Sequence, residues 1–148
     1  MTRPTTDARY RYPVYYHDTD AAGVVHHARL IYFAERARSD LLRDIALSVT
    51  TIYKRFGVVF AVQQLNATYH HPARLEDTLI VGCEVARIRP ARLEIIQPIT
   101  RNTDHADHAD HAEQTIATVR LTLVCVGTDF RPARLPEPLI DAMQRFCR

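Results

Sequence analysis

The longest periodic pattern in the chain lies between residues 27 and 47. Apolar residues recur there at intervals of three or four, at Leu30, Phe33, Ala34, Ala37, Leu41 and Ile45. This spacing puts an apolar stripe on one face of an α-helix and leaves the charged residues on the other face. The pattern therefore predicts one long amphipathic helix.

Five further segments are rich in β-branched and aromatic residues and are predicted to be strands. The first is RYRYPVYY, in which Pro13 restricts the strand to an edge or a bulge. The others are at about 58–69, 78–88, 93–101 and 115–126. Strands that follow one another without intervening helices favour an antiparallel sheet with one face packed on the helix. The fold class is therefore α+β.

Two shorter segments complete the expected order of elements. TTIYKRFG is predicted to be a short helical or irregular piece ended by Gly57. The tail RPARLPEPLIDAMQRFCR has three prolines before a short final helix, and we expect this tail to lie on the surface.

Length and composition indicate a single cytoplasmic domain over residues 1–148. A chain of 148 residues with 47% hydrophobic content can bury one core without disulfides. It lacks an apolar run of membrane-spanning length, and its three cysteines are widely spaced and odd in number. The formal net charge of +2 does not indicate a nucleic-acid partner.

The stretch HDTDAAGVVHHA joins the first strand to the long helix. If HDTD continues the strand, Asp18 and Asp20 lie on one face. Gly23 can take a positive φ and turn the chain into the helix near His26 and His27. A carboxylate then lies beside a helix start, whose free N–H groups can polarise a carbonyl and stabilise an oxyanion. Because a carboxylate there can attack the carbonyl or activate water, the stretch suggests acyl transfer.

Other interpretations of these residues stay open at this point. An aspartate before a helix is often only a cap, and a D-x-D pair at a strand end is often a solvated turn. Two carboxylates and two imidazoles are also ligands for a divalent metal. The repeat DHADHADHA, residues 104–112, raises a second metal hypothesis through His105, His108 and His111. We favour a low-complexity hairpin insertion there and predict no metal site.

A family resemblance rests on several ordered segments. The string T-D-x-x-G-V-V-x-H, from Thr19 to His27, resembles the signature of the 4-hydroxybenzoyl-CoA thioesterase type of hotdog-fold proteins. The longer VYYHDTDAAGVVHHARLIYFAERAR, with YHHPARLEDTLIV and ARLEIIQPITR, is similar to the Tol–Pal-associated acyl-CoA thioesterase branch. The resemblance implies a hotdog fold, in which a curved antiparallel sheet of about five strands wraps a long central helix. The order of elements predicted above agrees with it.

The resemblance also implies an activity and its residues. The protein is expected to be an acyl-CoA thioesterase that needs no cofactor. Asp20 is then the nucleophile or general base, and the backbone N–H of His27 polarises the thioester carbonyl, while Gly23 turns the chain and Asp18 is supporting or structural. Such proteins form homodimers or dimers of dimers, with active sites at the dimer interface.

The chain departs from the family pattern at three positions. Pro13 stands where Gln or Arg is common, and Leu30 stands where an aromatic residue is common. Neither supplies an acid, a base or an oxyanion donor, so the departures bear on the acyl pocket and not on the reaction. His26 stands where the branch often has tyrosine, which adds a titratable group beside the site.

The turn ARIRPARLE carries the predicted nucleotide contacts. Related thioesterases hold CoA at this strand connection, and arginine binds phosphate by charge-assisted hydrogen bonds. We therefore assign Arg89 and Arg92 to the substrate phosphates, with solvated hairpin charge as the alternative. Alternative functions are an acyl carrier protein thioesterase and a non-catalytic module that binds an acyl group or a protein. Membrane insertion is not expected.

Overall fold

A computed structural model describes residues 8–103 and 112–147 of the chain. The metal hypothesis for His105, His108 and His111 therefore lies outside the described residues. The described elements follow the order β1 (Arg9–Pro13), α1 (His27–Asp44), α2 (Val49–Phe56), β2 (Val58–Tyr69), β3 (Thr78–Gly82), β4 (Glu84–Arg89), β5 (Arg92–Asn102), β6 (Glu113–Gly127) and α3 (Glu137–Met143). No helix in these ranges is long and apolar enough to cross a membrane.

The strands form one antiparallel sheet in the order β1-β3-β5-β6-β2, and β4 pairs with the first half of β5. The sheet has six strands because the segment predicted at 78–88 divides at Cys83. The N–H of Cys83 donates to Ala8 O at 2.9 Å, which turns this residue toward the start of β1. Pro98, which has no N–H to donate, lies in β5 between the residues that pair with β3 and those that pair with β4. β1 is an edge strand, as Pro13 predicted.

Helix α1 lies against the sheet and contacts β1, β3, β5 and β6. The predicted apolar stripe is buried, at Leu30, Phe33, Ala34, Ala37 and Leu41. The helix ends at Asp44, slightly before the predicted boundary, and Ala46 beyond it has a φ of +59°. Helix α2 ends at Gly57, which has a φ of +65°, as predicted.

Two tyrosines of β1 form hydrogen bonds with side chains of α1. The Tyr10 hydroxyl donates to Asp44 at 2.8 Å, and the Tyr12 hydroxyl donates to Asp40 one helical turn earlier. Burial, reinforced by these carboxylates, raises the pKa of both phenols, so they remain donors at neutral pH. The segment that follows β1 is consequently held beside the helix.

The tail differs from expectation. Leu139 and Met143 of α3 are 0% and 3% exposed, and Leu135 before the helix is 4% exposed. The expectation that the tail lies on the surface is therefore wrong for its apolar face, which completes the core. Proline spacing in the sequence did not reveal that stripe.

Candidate active site

A tight turn connects β1 to α1 and carries Asp20. Thr19 and Val25 form an antiparallel bridge. Between them, the N–H of Asp20 donates to Val24 O at 2.9 Å, and the N–H of Gly23 donates to Asp20 O at 3.0 Å. Gly23 has a φ of +74°, a conformation that glycine adopts without the cost of a side chain. Gly23 thus reverses the chain, as its sequence position predicted.

The Asp20 side chain is exposed at this turn. Its Oδ1 accepts a hydrogen bond from the N–H of Ala22 at 2.8 Å, a local contact that orients the carboxylate. Among residues 8–103 and 112–147, no donor pairs with Oδ2. One oxygen of this carboxylate can therefore meet a water molecule or a substrate.

Asp18 has the opposite environment and is 2% exposed. Its Oδ1 accepts from Arg29 Nε at 2.9 Å and from Arg29 Nη2 at 2.6 Å, while its Oδ2 accepts from the N–H of Tyr15 at 2.9 Å. The expectation that Asp18 and Asp20 share one face of a strand is wrong, because a 3₁₀ turn over Tyr16–Asp18 replaces strand alternation. Asp18 is a structural carboxylate that anchors the first turn of α1.

The start of α1 has an unpaired backbone donor at His27. His26 caps the helix, since its Nδ1 accepts from the N–H of Ala28 at 3.1 Å. In the described part of the chain, no acceptor pairs with the N–H of His27. Helix α1 has its positive dipole end at this donor. The bridge between Thr19 and Val25 thus keeps Asp20, Gly23 and the start of α1 in one short loop.

Sequence reasoning missed two side chains at this site. Arg29 follows the motif and was assigned only to the charged face of the helix, although it bonds Asp18. Tyr69 ends β2, and its hydroxyl donates to His27 O at 2.9 Å across 42 residues of sequence. The only available signal for Tyr69 was an aromatic residue at the end of a predicted strand.

The structure does not bring the predicted arginines to Asp20 within one chain. Arg89 and Arg92 are paired at the tip of the β4–β5 hairpin, at the start of β5. The Asp20 turn is bridged to Arg74, just before β3, and β3 pairs with the last part of β5, where Leu79 faces Arg101. At ~3.3 Å per residue, Arg92 and Arg101 are separated by about 30 Å along β5.

The arginine hairpin itself is solvated. Arg89 Nε donates to Glu94 Oε1 at 3.3 Å, and Arg87 Nε lies 4.0 Å from the other oxygen of the same carboxylate. Arg92 is exposed. These side chains are free to reorient toward an anion, but nothing in one chain directs them to the Asp20 turn.

A buried polar cluster lies under the middle of α1 and does not belong to the reacting groups. Gln97 is 0% exposed and donates to Ala34 O at 2.8 Å and to Cys83 Sγ at 3.0 Å, while it accepts from Arg38 Nη1 at 2.8 Å. Burial raises the pKa of the Cys83 thiol to about 12, so the thiol remains protonated at neutral pH. Cys83 is a core residue, and Cys125 is also buried.

The metal interpretation finds no support in the geometry. Arg29 and the N–H of Tyr15 occupy the oxygens of Asp18, and the N–H of Ala28 occupies Nδ1 of His26. In the two described ranges, no three His, Cys, Asp or Glu side chains are grouped so that they could hold a metal ion.

Comparison with known proteins defines the class. Residues 14–143 match the Thioesterase-like superfamily, and the chain belongs to that family. An acyl-CoA thioesterase, YbgC of Haemophilus influenzae, is 39% identical over 142 residues, which cover 95% of this chain and 98% of that protein. The acyl-CoA thioester hydrolase YbgC of Escherichia coli O6:H1 is 34% identical over 137 residues, which cover 92% and 95%.

A solved structure supports the same fold. A mutant of 4-hydroxybenzoyl-CoA thioesterase in complex with 4-hydroxybenzoyl-CoA superposes with a TM-score of 0.84 over 94% of this chain and 98% of that chain. Its sequence identity is 15%, so this likeness concerns the fold alone. The hotdog fold and the family predicted from the motif are confirmed.

Proposed function

We propose that this protein hydrolyses an acyl-CoA thioester to a free carboxylic acid and CoA. Asp20 is the nucleophile or general base, and the backbone N–H of His27 is the oxyanion donor. The observation that carries the proposal is one short segment, closed by the bridge between Thr19 and Val25, that carries both an accessible carboxylate oxygen and an unpaired helix-start N–H. The likeness to YbgC acyl-CoA thioesterases over nearly the whole chain supports the same activity.

Each of these two groups would have a role in attack on a thioester carbonyl. The N–H of His27 and the positive end of α1 would stabilise the negative charge that develops on the carbonyl oxygen. In one route, Asp20 attacks the carbonyl carbon, the thiolate of CoA leaves, and water hydrolyses the resulting anhydride and restores the carboxylate. In the other route, Asp20 takes a proton from the attacking water. Both routes consume one water and release one acid and one thiol.

We further propose that the active unit is a homodimer or a dimer of dimers. Strand β2 is a sheet edge of 12 residues, and its exposed side chains include Val62 and Tyr69. A long edge strand with apolar side chains favours pairing with another strand. A second chain can also bring an arginine hairpin to the Asp20 turn, which one chain does not do. Light scattering should therefore give a mass of two or four chains, and a monomer that retains full activity would contradict this.

The activity is tested with Asp20→Asn. The asparagine side-chain oxygen can still accept from the N–H of Ala22, so the turn should persist while the carboxylate is lost. We expect kcat to fall by about 10²-fold or more on a panel of aliphatic and aryl acyl-CoAs, with the unfolding temperature unchanged.

The matched control is Asp129→Asn, which changes another exposed aspartate that bonds a nearby backbone N–H. This control should retain wild-type turnover. Turnover by Asp20→Asn at the wild-type rate would refute the catalytic assignment.

A further inference from the structure

One peptide group at the start of α1 is held by side chains on both of its sides. The Tyr69 hydroxyl donates to His27 O at 2.9 Å, and His26 Nδ1 accepts from the N–H of Ala28 at 3.1 Å. These two backbone atoms belong to the same peptide, which joins His27 to Ala28. Tyr69 also contacts the His27 ring edge-on, with the ring centroids 6.4 Å apart. We call His26 and Tyr69 the peptide clamp.

The peptide before it is fixed as well. The carbonyl oxygen of His26 accepts from the N–H of Arg29 at 2.8 Å. Since the peptides on both sides of the His27 Cα are restrained, the direction of the His27 N–H is restrained too. A donor aimed in advance at the developing oxyanion contributes more to the rate than one that must reorient.

We propose that His26, in its neutral form, and Tyr69 are positioning residues of the thioesterase reaction. They orient the His27 N–H by clamping the next peptide, and this role rests on the function proposed above. Nδ1 of His26 can accept from Ala28 only while it carries no proton, so the single proton of the neutral ring lies on Nε2. A second proton would remove the acceptor and place a cation at the positive end of the helix. Protonation of His26 would therefore open the clamp.

Several charged or titratable groups lie on the elements around His26. His27 stacks on the His26 ring with centroids 4.1 Å apart, and a charge on either ring would disfavour a charge on the other. The Asp18 carboxylate is already bonded to Arg29. Among the described residues, these groups include His17, Asp18 and Asp20 in the turn before the helix, His27 and Arg29 in α1, Tyr69 in β2, and Arg74 in the loop before β3.

The decisive measurement is the pH dependence of kcat/KM for wild type and His26→Asn. Asparagine caps helices through a side-chain oxygen that accepts an N–H at any pH in this range. The wild-type rate should fall toward acid pH as protonation removes the Nδ1 acceptor of His26. In His26→Asn this fall should begin at a lower pH, because the asparagine oxygen remains an acceptor. The control His70→Asn changes a histidine whose ring contacts Thr118 at 3.3 Å, and it should keep the wild-type profile.

The second arm tests Tyr69. Tyr69→Phe keeps the ring and removes the hydroxyl, so kcat should fall by about three- to tenfold with KM unchanged, because one backbone hydrogen bond is lost. An unshifted acid limb in His26→Asn, or a wild-type kcat in Tyr69→Phe, would overturn the clamp. If Asp20→Asn abolishes turnover in the same assays, such a result refutes the clamp alone. Wild-type turnover by Asp20→Asn would refute the proposed function itself.

Discussion

The two ends of β5 are built in different ways. Near its last residues, the polar side chains have defined partners: Asp18 is bonded by Arg29, and Asp77 accepts from Arg101 at 2.5 Å. At its first residues, the hairpin projects exposed arginines that share the Glu94 carboxylate. Attack on a carbonyl needs a fixed geometry, whereas flexible guanidinium groups can bind phosphates. Substitutions near the last residues of β5 should therefore change stability and kcat. Substitutions in the hairpin at its first residues should change KM.

Among these variants, Asp18→Asn should cause the largest loss of stability. The change removes the negative charge that a partly buried guanidinium faces, and a buried carboxylate that accepts three hydrogen bonds cannot be replaced by an amide without losing some of them. Breaking such a pair from one side costs about 2–3 kcal/mol here, below the range for fully buried pairs because Arg29 is about one-third exposed. Urea unfolding measures this loss.

Asp20→Asn is the matched comparison for that experiment. Asp20 is exposed, and its one described contact survives as an amide contact, so the free energy of unfolding should stay within about 0.5 kcal/mol of wild type. The two substitutions would then separate stability from catalysis, since Asp18 supports folding and Asp20 supports chemistry. Equal stability of Asp18→Asn and wild type would show that the pair with Arg29 does not hold the turn.

The contrast between these aspartates shows what the sequence could predict. Asp20, Gly23 and the helix start were predicted together because a few adjacent residues determine a turn. Asp18 was assigned to the same face as Asp20 because strand alternation is the default for an extended segment. The 3₁₀ turn that buries Asp18 is stabilised by Arg29, 11 residues later, and periodicity carries no information about that contact.

Longer-range features were predicted less well. The contact between Tyr69 and His27 joins segments 42 residues apart, and it depends on where β2 ends relative to α1. The β4–β5 hairpin was predicted correctly as a connection between strands, but its distance from Asp20 depends on sheet order. The pattern of apolar residues predicts that strands pair, and not which end of a strand meets which turn.

Substitutions in the arginine hairpin should have a smaller effect, on substrate binding alone. In the double variant Arg89→Ala with Arg92→Ala, KM for acyl-CoA should rise by about three- to tenfold with kcat unchanged, because exposed charge-assisted contacts are individually weak. An N-acetylcysteamine thioester with the same acyl group has no nucleotide phosphates. Its KM should therefore be the same for the variant and for wild type.

Arg55→Ala is the control for general loss of positive charge, since Arg55 is an exposed arginine on α2 beside the Phe56 ring. It should leave both substrates unaffected. Added salt should raise KM for acyl-CoA more in wild type than in the double variant, because screening acts on the contacts that the variant has already lost. An equal rise in KM for both thioesters would mean that the hairpin supports the acyl site and not the nucleotide. The proposed division between the two ends of β5 would then be wrong.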